Sequence, residues 1–171
     1  LAAAESLLAS APLSDADKSS MIALVASRRK EAVAVLDRAV VDAGKASVAG
    51  AIDGYQQAIA MDRGMPQAAL SSALRKLAVA AVADLETTAK IRKADAAQLA
   101  TILSGYAQLV AKLPALASEA KFAAIHEQVA EAVGRCFRSV VSLQDAAQLA
   151  RSVRSSGVPV GAEIDHVIAA L

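Results

Sequence analysis

Apolar residues recur along this chain at spacings of three and four, the period of one face of an α-helix. Two segments show the period best. They carry Leu99, Ile102, Leu103, Tyr106, Leu109, Val110 and Leu113 in the first, and Phe122, Ile125, Val129, Val133, Cys136 and Phe137 in the second. No segment shows the sustained alternation of a strand. The pattern therefore predicts an all-α protein.

Capping signals place the predicted helix starts. Ser14 with Asp17, Asp95 with Gln98, and Ser142 with Asp145 each pair a capping side chain with a polar residue three positions later. The predicted helices span residues 2–10, 15–29, 31–43, 46–62, 66–89, 94–113, 115–137, 143–155 and 160–170. The break at residue 30 is weak, so 15–43 as one long helix is the alternative.

Glycine and proline mark further helix ends. Gly44 and Gly64 stand where C-terminal caps belong, and glycine tolerates the left-handed conformation that such caps use. Pro66 and Pro114 suit the first turn of a helix, where a missing N–H is harmless. Gly157 and Pro159 are expected to mark the last break.

A repeat near 50 residues organises these helices. The hexamer Asp-Ala-Ala-Gln-Leu-Ala occurs at 95–100 and again at 145–150, and a Gly-Tyr pair occurs at 54–55 and 105–106. Such a period is typical of stacked helical hairpins. We expect a single α-solenoid-like domain of antiparallel hairpins at 46–89, 94–137 and 143–171, after divergent N-terminal helices at 1–45. An up-and-down bundle of similar alanine-rich helices is the alternative.

The 56% hydrophobic content overstates the number of large core side chains, since 44 of the 171 residues are alanine. Alanine has the highest intrinsic helix propensity and lets helices approach closely. With two Phe, two Tyr and no Trp, the core must be built from Leu, Val, Ile and Ala. The length suits one domain with a substantial core.

Charge and cysteine content narrow the function classes. The chain has 18 Lys and Arg against 17 Asp and Glu, without the overall basic excess of a typical nucleic-acid binder. A single cysteine, Cys136, excludes an internal disulfide and a cysteine-rich zinc site.

No apolar run approaches the ~20 residues of a membrane span. The chain begins at Leu1, so we expect a processed form or an excised fragment from which any targeting peptide is missing.

Candidate catalytic residues are few. His126 precedes Glu127, but the helical zinc motif needs a second histidine at position 130, which is Ala130. Cys136 lies on an apolar helix face, where small buried cysteines are common. His166 could reach it only through tertiary packing. We therefore expect no enzyme activity, no cofactor and no metal site.

Basic residues form three groups. They are Arg28, Arg29 and Lys30; Lys90, Arg92 and Lys93; and Arg135, Arg138, Arg151 and Arg154. The third group could line one surface for RNA phosphates or for an acidic protein partner. The alternative is that they are ordinary solvated residues near helix C-termini, where the helix dipole favours cations. Aromatic stacking platforms, which single-strand binders use, are scarce.

Residues 95–109 carry a family resemblance. Asp95, Leu99, Gly105, Tyr106 and Leu109 fall on a pattern that resembles the first helix of organellar pentatricopeptide-like and octotricopeptide-like hairpin repeats. The size also resembles the pentatricopeptide-like accessory subunits of euglenozoan mitochondrial F1-ATPases. The second copy departs from the pattern after Leu149. The resemblance implies residence in mitochondria or chloroplasts, with RNA binding or a structural role in a large complex.

The near-neutral, aromatic-poor chain favours the structural role. We expect a non-catalytic accessory subunit or adaptor that docks on a larger protein assembly in the mitochondrial matrix, such as ATP synthase. Organellar RNA binding is the first alternative. An alanine-rich bundle that acts as an adaptor or effector is the second.

Overall fold

The computed structural model describes residues 2–45, 47–89, 94–139 and 142–171, and every regular element in these ranges is helical. The α-helices are α1 (Ala2–Ser10), α2 (Asp15–Ala43), α3 (Val48–Met61), α4 (Gln67–Ala89), α5 (Ala96–Lys112), α6 (Ala120–Ser139), α7 (Leu143–Ser156) and α8 (Ala162–Ala170), and a 3-10 helix spans Pro114–Ser118. The all-α prediction is confirmed. None of the helices in these ranges is both long and apolar enough to cross a membrane.

Two compact units divide the chain. The first is Leu1–Leu77 and the second Ala78–Leu171, so the division falls inside α4. Fully buried side chains of the first unit include Ile52 and Leu77, and those of the second include Leu99 and Phe122. The periodic faces of 99–113 and 122–137 are buried or half-buried throughout, as the apolar period predicts.

Helix α2 is one element of 29 residues, so the break expected at residue 30 is wrong and the alternative is confirmed. Residues 24–36 contain neither glycine nor proline. The Arg28 Nη1 and Glu31 Oε2 atoms lie 2.8 Å apart across the expected break, a spacing of three that supports a helix. Arg28, Arg29 and Lys30 therefore lie in mid-helix and not at a C-terminus.

Helices α2 and α3 pack antiparallel in the first unit. Ala39 lies against Gly54, where an added Cβ would stand 2.9 Å from the Ala39 Cβ. Further along, Arg29 lies against Asp62, directly after α3. From the first contact to the second, the residue number falls along α2 and rises from α3 to Asp62, which is the order expected of antiparallel helices. Glycine at position 54 therefore permits a closer approach of the two helices than alanine would.

In the second unit α5 packs against both α6 and α7. The two identical hexamers begin these packed helices in different registers. Asp95 is the N-cap of α5 and forms a full capping box with Gln98, whereas Ser142 is the N-cap of α7 and Asp145 is its third helical residue. Leu99 and Leu149 are nevertheless both fully buried.

Three other helix ends differ from the sequence prediction. Gly44 does cap α2, but with a right-handed φ of −86°, and the cap of α3 is Asp62 instead of Gly64. Gly157, by contrast, ends α7 as predicted, in the left-handed conformation with a φ of 66°. Pro114 starts a separate 3-10 turn, so α6 begins at Ala120 and not at 115.

Candidate functional site

The four arginines predicted as a partner or RNA surface lie on two helices of the second unit. Arg138 and Arg151 are exposed. Arg154 donates from Nη2 to the Ile168 carbonyl near the end of α8. Arg135 is half-buried, and its Nη2 is buried without a hydrogen-bond partner among the described residues. One of the four therefore ties α7 to α8, and the convergence of all four on one surface stays a prediction.

Of the other two basic groups, the structure describes only the first. Lys90, Arg92 and Lys93 lie outside the described residues. Within the first group, Arg28 pairs with Glu31, and the Arg29 Nε lies 3.4 Å from Asp62 Oδ2. Ion pairing thus occupies two members of the first group.

Asp62 is a buried carboxylate that the sequence did not single out. It is 4% exposed, and its Oδ1 accepts a 2.9 Å hydrogen bond from the Gly64 N–H. The neighbouring Arg29 guanidinium supplies the countercharge, because burying a carboxylate without a partner is costly. The pair fixes the end of α3 against the middle of α2. An acidic residue at a helix end facing a basic residue 33 positions earlier gives no local sequence signal.

His126 belongs to an aromatic cluster between α5 and α6. The Tyr106 hydroxyl is hydrogen-bonded to His126 Nε2, and the Tyr106 ring stacks on Phe122 with centroids 4.9 Å apart. Burial lowers the pKa of His126 and raises the pKa of Tyr106. Both groups are therefore neutral near pH 7, and the tautomer of the imidazole sets which of the two donates. The half-buried position of His126 matches its place at the edge of the apolar face.

Cys136 is a buried thiol whose Sγ donates to the Ala94 carbonyl over 3.4 Å. Burial raises the pKa of this thiol, the Arg135 charge lowers it to a smaller degree, and Asp95 adds a small upward effect. A raised pKa disfavours the nucleophilic thiolate. This environment is that of a structural cysteine.

The remaining candidate ligands do not gather. His166 is exposed on α8. Across the described ranges, no three or more His, Cys, Asp and Glu side chains form a group that could hold a metal ion.

The N-terminal half of α2 carries several of the large apolar side chains that are exposed in the first unit. Helix α2 has 29 residues and α3 has 14, lengths of about 43 Å and 21 Å at 1.5 Å per residue. Because Asp62 at the end of α3 meets Arg29, residues 15–28 extend beyond α3. We call this segment, Asp15–Arg28, the α2 overhang.

Large apolar side chains on the α2 overhang face solvent. Met21 is 44% exposed, and Ile22 and Leu24 are each 59% exposed. Val25, the next residue after Leu24, is buried, and α1 also packs against α2. Leu7 on α1 and Leu13 in the connection are exposed as well. Apolar periodicity alone missed this surface, because it does not reveal where a neighbouring helix ends.

Compared with protein-family models, with curated proteins and with solved structures, the chain matches none of them.

Proposed function

We propose that the protein is a non-catalytic helical scaffold that docks on a larger protein assembly through the α2 overhang. The observation that carries the proposal is the exposure of Met21, Ile22 and Leu24 on one continuous helical segment. Burying apolar surface is favourable by about 25 cal/mol per Å². Contiguous exposed apolar residues commonly mark protein-interaction surfaces.

The assembly we propose is a mitochondrial complex of the matrix, such as ATP synthase. Its support is the resemblance of residues 95–109 to organellar hairpin repeats. The two Gly-Tyr pairs also have similar surroundings: Tyr55 and Tyr106 are buried, and Gly54 and Gly105 each lie close to a side chain of the preceding helix, Ala39 and Leu85. Equivalent environments about 50 residues apart support a repeated hairpin.

Native purification tests this proposal. The protein is isolated gently from its source, cross-linked, sized and subjected to mass spectrometry. We expect the wild type to elute in a large assembly, and the double variant Ile22→Ser with Leu24→Ser to elute free of it. Val41→Ser is the matched control, because Val41 is 52% exposed on the same helix but outside the α2 overhang. Elution of the wild type without any larger partner would contradict the proposal.

RNA binding is the second candidate function, and the exposure of Arg138 and Arg151 favours it. Against it, both tyrosines are buried and offer no stacking platform. If these arginines bind phosphates, reversing both to glutamate should weaken RNA retention and flatten its dependence on salt. Equal retention by the wild type and the double variant in a filter-binding titration at low salt would remove this candidate.

A further inference from the structure

Four residues of the α2 overhang form a stripe along one face of the helix. Asp17, Met21, Leu24 and Arg28 follow one another at spacings of four, three and four residues. These spacings place side chains in one line on a helix and are those of the core positions of a coiled coil. All four residues are exposed. We call them the α2 stripe.

The α2 stripe has the same form when it is read in either direction. Its spacings are symmetric, its two central residues are apolar, and its ends carry opposite charges. A second copy laid antiparallel would therefore place Met21 against Leu24 and Asp17 against Arg28. The two-fold axis repeats both contacts, as an isologous interface requires. A parallel copy would instead place like charges together at both ends.

We propose that two copies of this chain pair through antiparallel α2 stripes. This inference rests on the proposed role of the α2 overhang as a docking surface, and it names a second copy as the partner. Charge complementarity between the ends of the stripe is the argument for that partner. The association also covers apolar side chains that α3 does not reach.

The residues beside the α2 stripe permit this approach. Ser20 and Ser27 flank one side and are both small and exposed, so that two helix backbones can come close. Arg28 already pairs with Glu31 of its own helix, and Ser14 Oγ donates to Asp17 Oδ2 over 2.6 Å. A second copy must therefore share Arg28 with Glu31, and Asp17 with Ser14, to form the end contacts. A contact of about three helical turns is small, so the association is expected to be weak and to depend on concentration.

Sedimentation of the full chain over a concentration series tests the apolar part of the contact. The 17.4 kDa chain should shift towards twice its mass as its concentration rises from about 10 μM to about 1 mM. Leu24→Ser should raise the dissociation constant about tenfold or more. Ile22→Ser is the matched control: its exposure is also 59%, but it lies about 100° around the helix from Met21, so it should change the constant less than about twofold.

Charge exchange tests the antiparallel orientation. Asp17→Arg and Arg28→Asp should each abolish self-association, because each places like charges together at both ends of the contact. The double variant should recover it, since the reversed pairs are again complementary. The single variant Asp15→Arg is the control for the helix dipole at the start of α2, and Lys30→Asp is the control for a charge change in mid-helix. Both residues are exposed on α2 but outside the stripe. Added salt should weaken the wild-type association.

The outcomes separate this inference from the proposed function. A wild-type chain that stays monomeric over the whole series overturns the pairing, and the proposed function stands if native purification still gives a larger assembly. Failure of the double charge variant to recover overturns the antiparallel arrangement. A native species with the mass of two copies and nothing else supports the pairing and contradicts docking on a larger assembly.

Discussion

Two glycines on α3 distinguish the effect of helix propensity on stability from the effect of helix packing. An added Cβ at Gly50 would have its nearest neighbour at 3.9 Å, whereas at Gly54 it would stand 2.9 Å from the Ala39 Cβ. Replacing glycine by alanine in a helix interior is worth about 1 kcal/mol in propensity. We therefore expect Gly50→Ala to increase the free energy of unfolding by up to about that amount.

Gly54→Ala should have the opposite sign. The clash forces α2 and α3 apart, and overpacking of this kind costs about 1–3 kcal/mol, more than the gain in propensity. Urea denaturation of the two variants beside the wild type measures both effects. Equal stabilisation by the two substitutions would show that the close approach at Ala39 is not a constraint.

His126 gives the second unit a dependence on pH. Burial lowers the pKa of this histidine in the folded state below its ordinary value of 6.5. Between those two pKa values the unfolded chain binds more protons than the folded chain, so stability rises with pH there. The contribution of His126 is complete above pH 6.5 and is lost as the pH falls below that value.

The variant His126→Gln isolates this contribution. Glutamine does not titrate, and its amide can accept from or donate to the hydroxyl of Tyr106. The unfolding free energy of the wild type minus that of the variant should decrease as the pH is lowered from about 8 to 5. A difference that stays constant over this range would contradict a lowered pKa.

At the scale of elements, the starts of α5 and α7 show one hexamer in two roles. Asp95 is an N-cap, and replacing such a residue by alanine costs about 1 kcal/mol. Asp145 is instead the third residue of its helix and is exposed, so Asp145→Ala removes only a favourable dipole interaction of about 0.3 kcal/mol. Ser142→Ala should match Asp95→Ala.

Thermal unfolding of these three alanine variants tests the assignment. The expected order of destabilisation is Asp95→Ala and Ser142→Ala together, well above Asp145→Ala. A large effect at Asp145 with none at Ser142 would mean that α7 starts at the residue equivalent to the start of α5. Letter-for-letter identity would then imply identical local structure.

Helix existence was predictable from local signals, and some helix ends were not. The side chains of Ser14, Asp95 and Ser142 cap helices as expected, because a cap depends on residues within one turn. The sequence alone leaves the continuity of α2 open, since a run of Arg28, Arg29 and Lys30 is compatible with a helix end and with a helix interior. The structure shows a helix interior, with Arg28 and Glu31 paired across the expected break.

At the scale of the whole molecule, local sequence patterns do not show which distant segments meet. The contact of Arg29 with Asp62 and that of Tyr106 with His126 join different helices, and no local pattern specifies such partners. In a chain with 44 alanines, many helix faces are alike. Apolar periodicity therefore predicted which side of α5 and α6 is buried, but not where α3 stops covering α2.

The single cysteine gives this molecule an internal reporter of its own fluctuations. Cys136 is the chain's one thiol and is 6% exposed, so an alkylating reagent can reach it only after the surrounding structure opens. When opening is fast and reversible, the labelling rate measures the free energy of that opening. The opening of the second unit can thus be followed in the unmodified chain, without an added label.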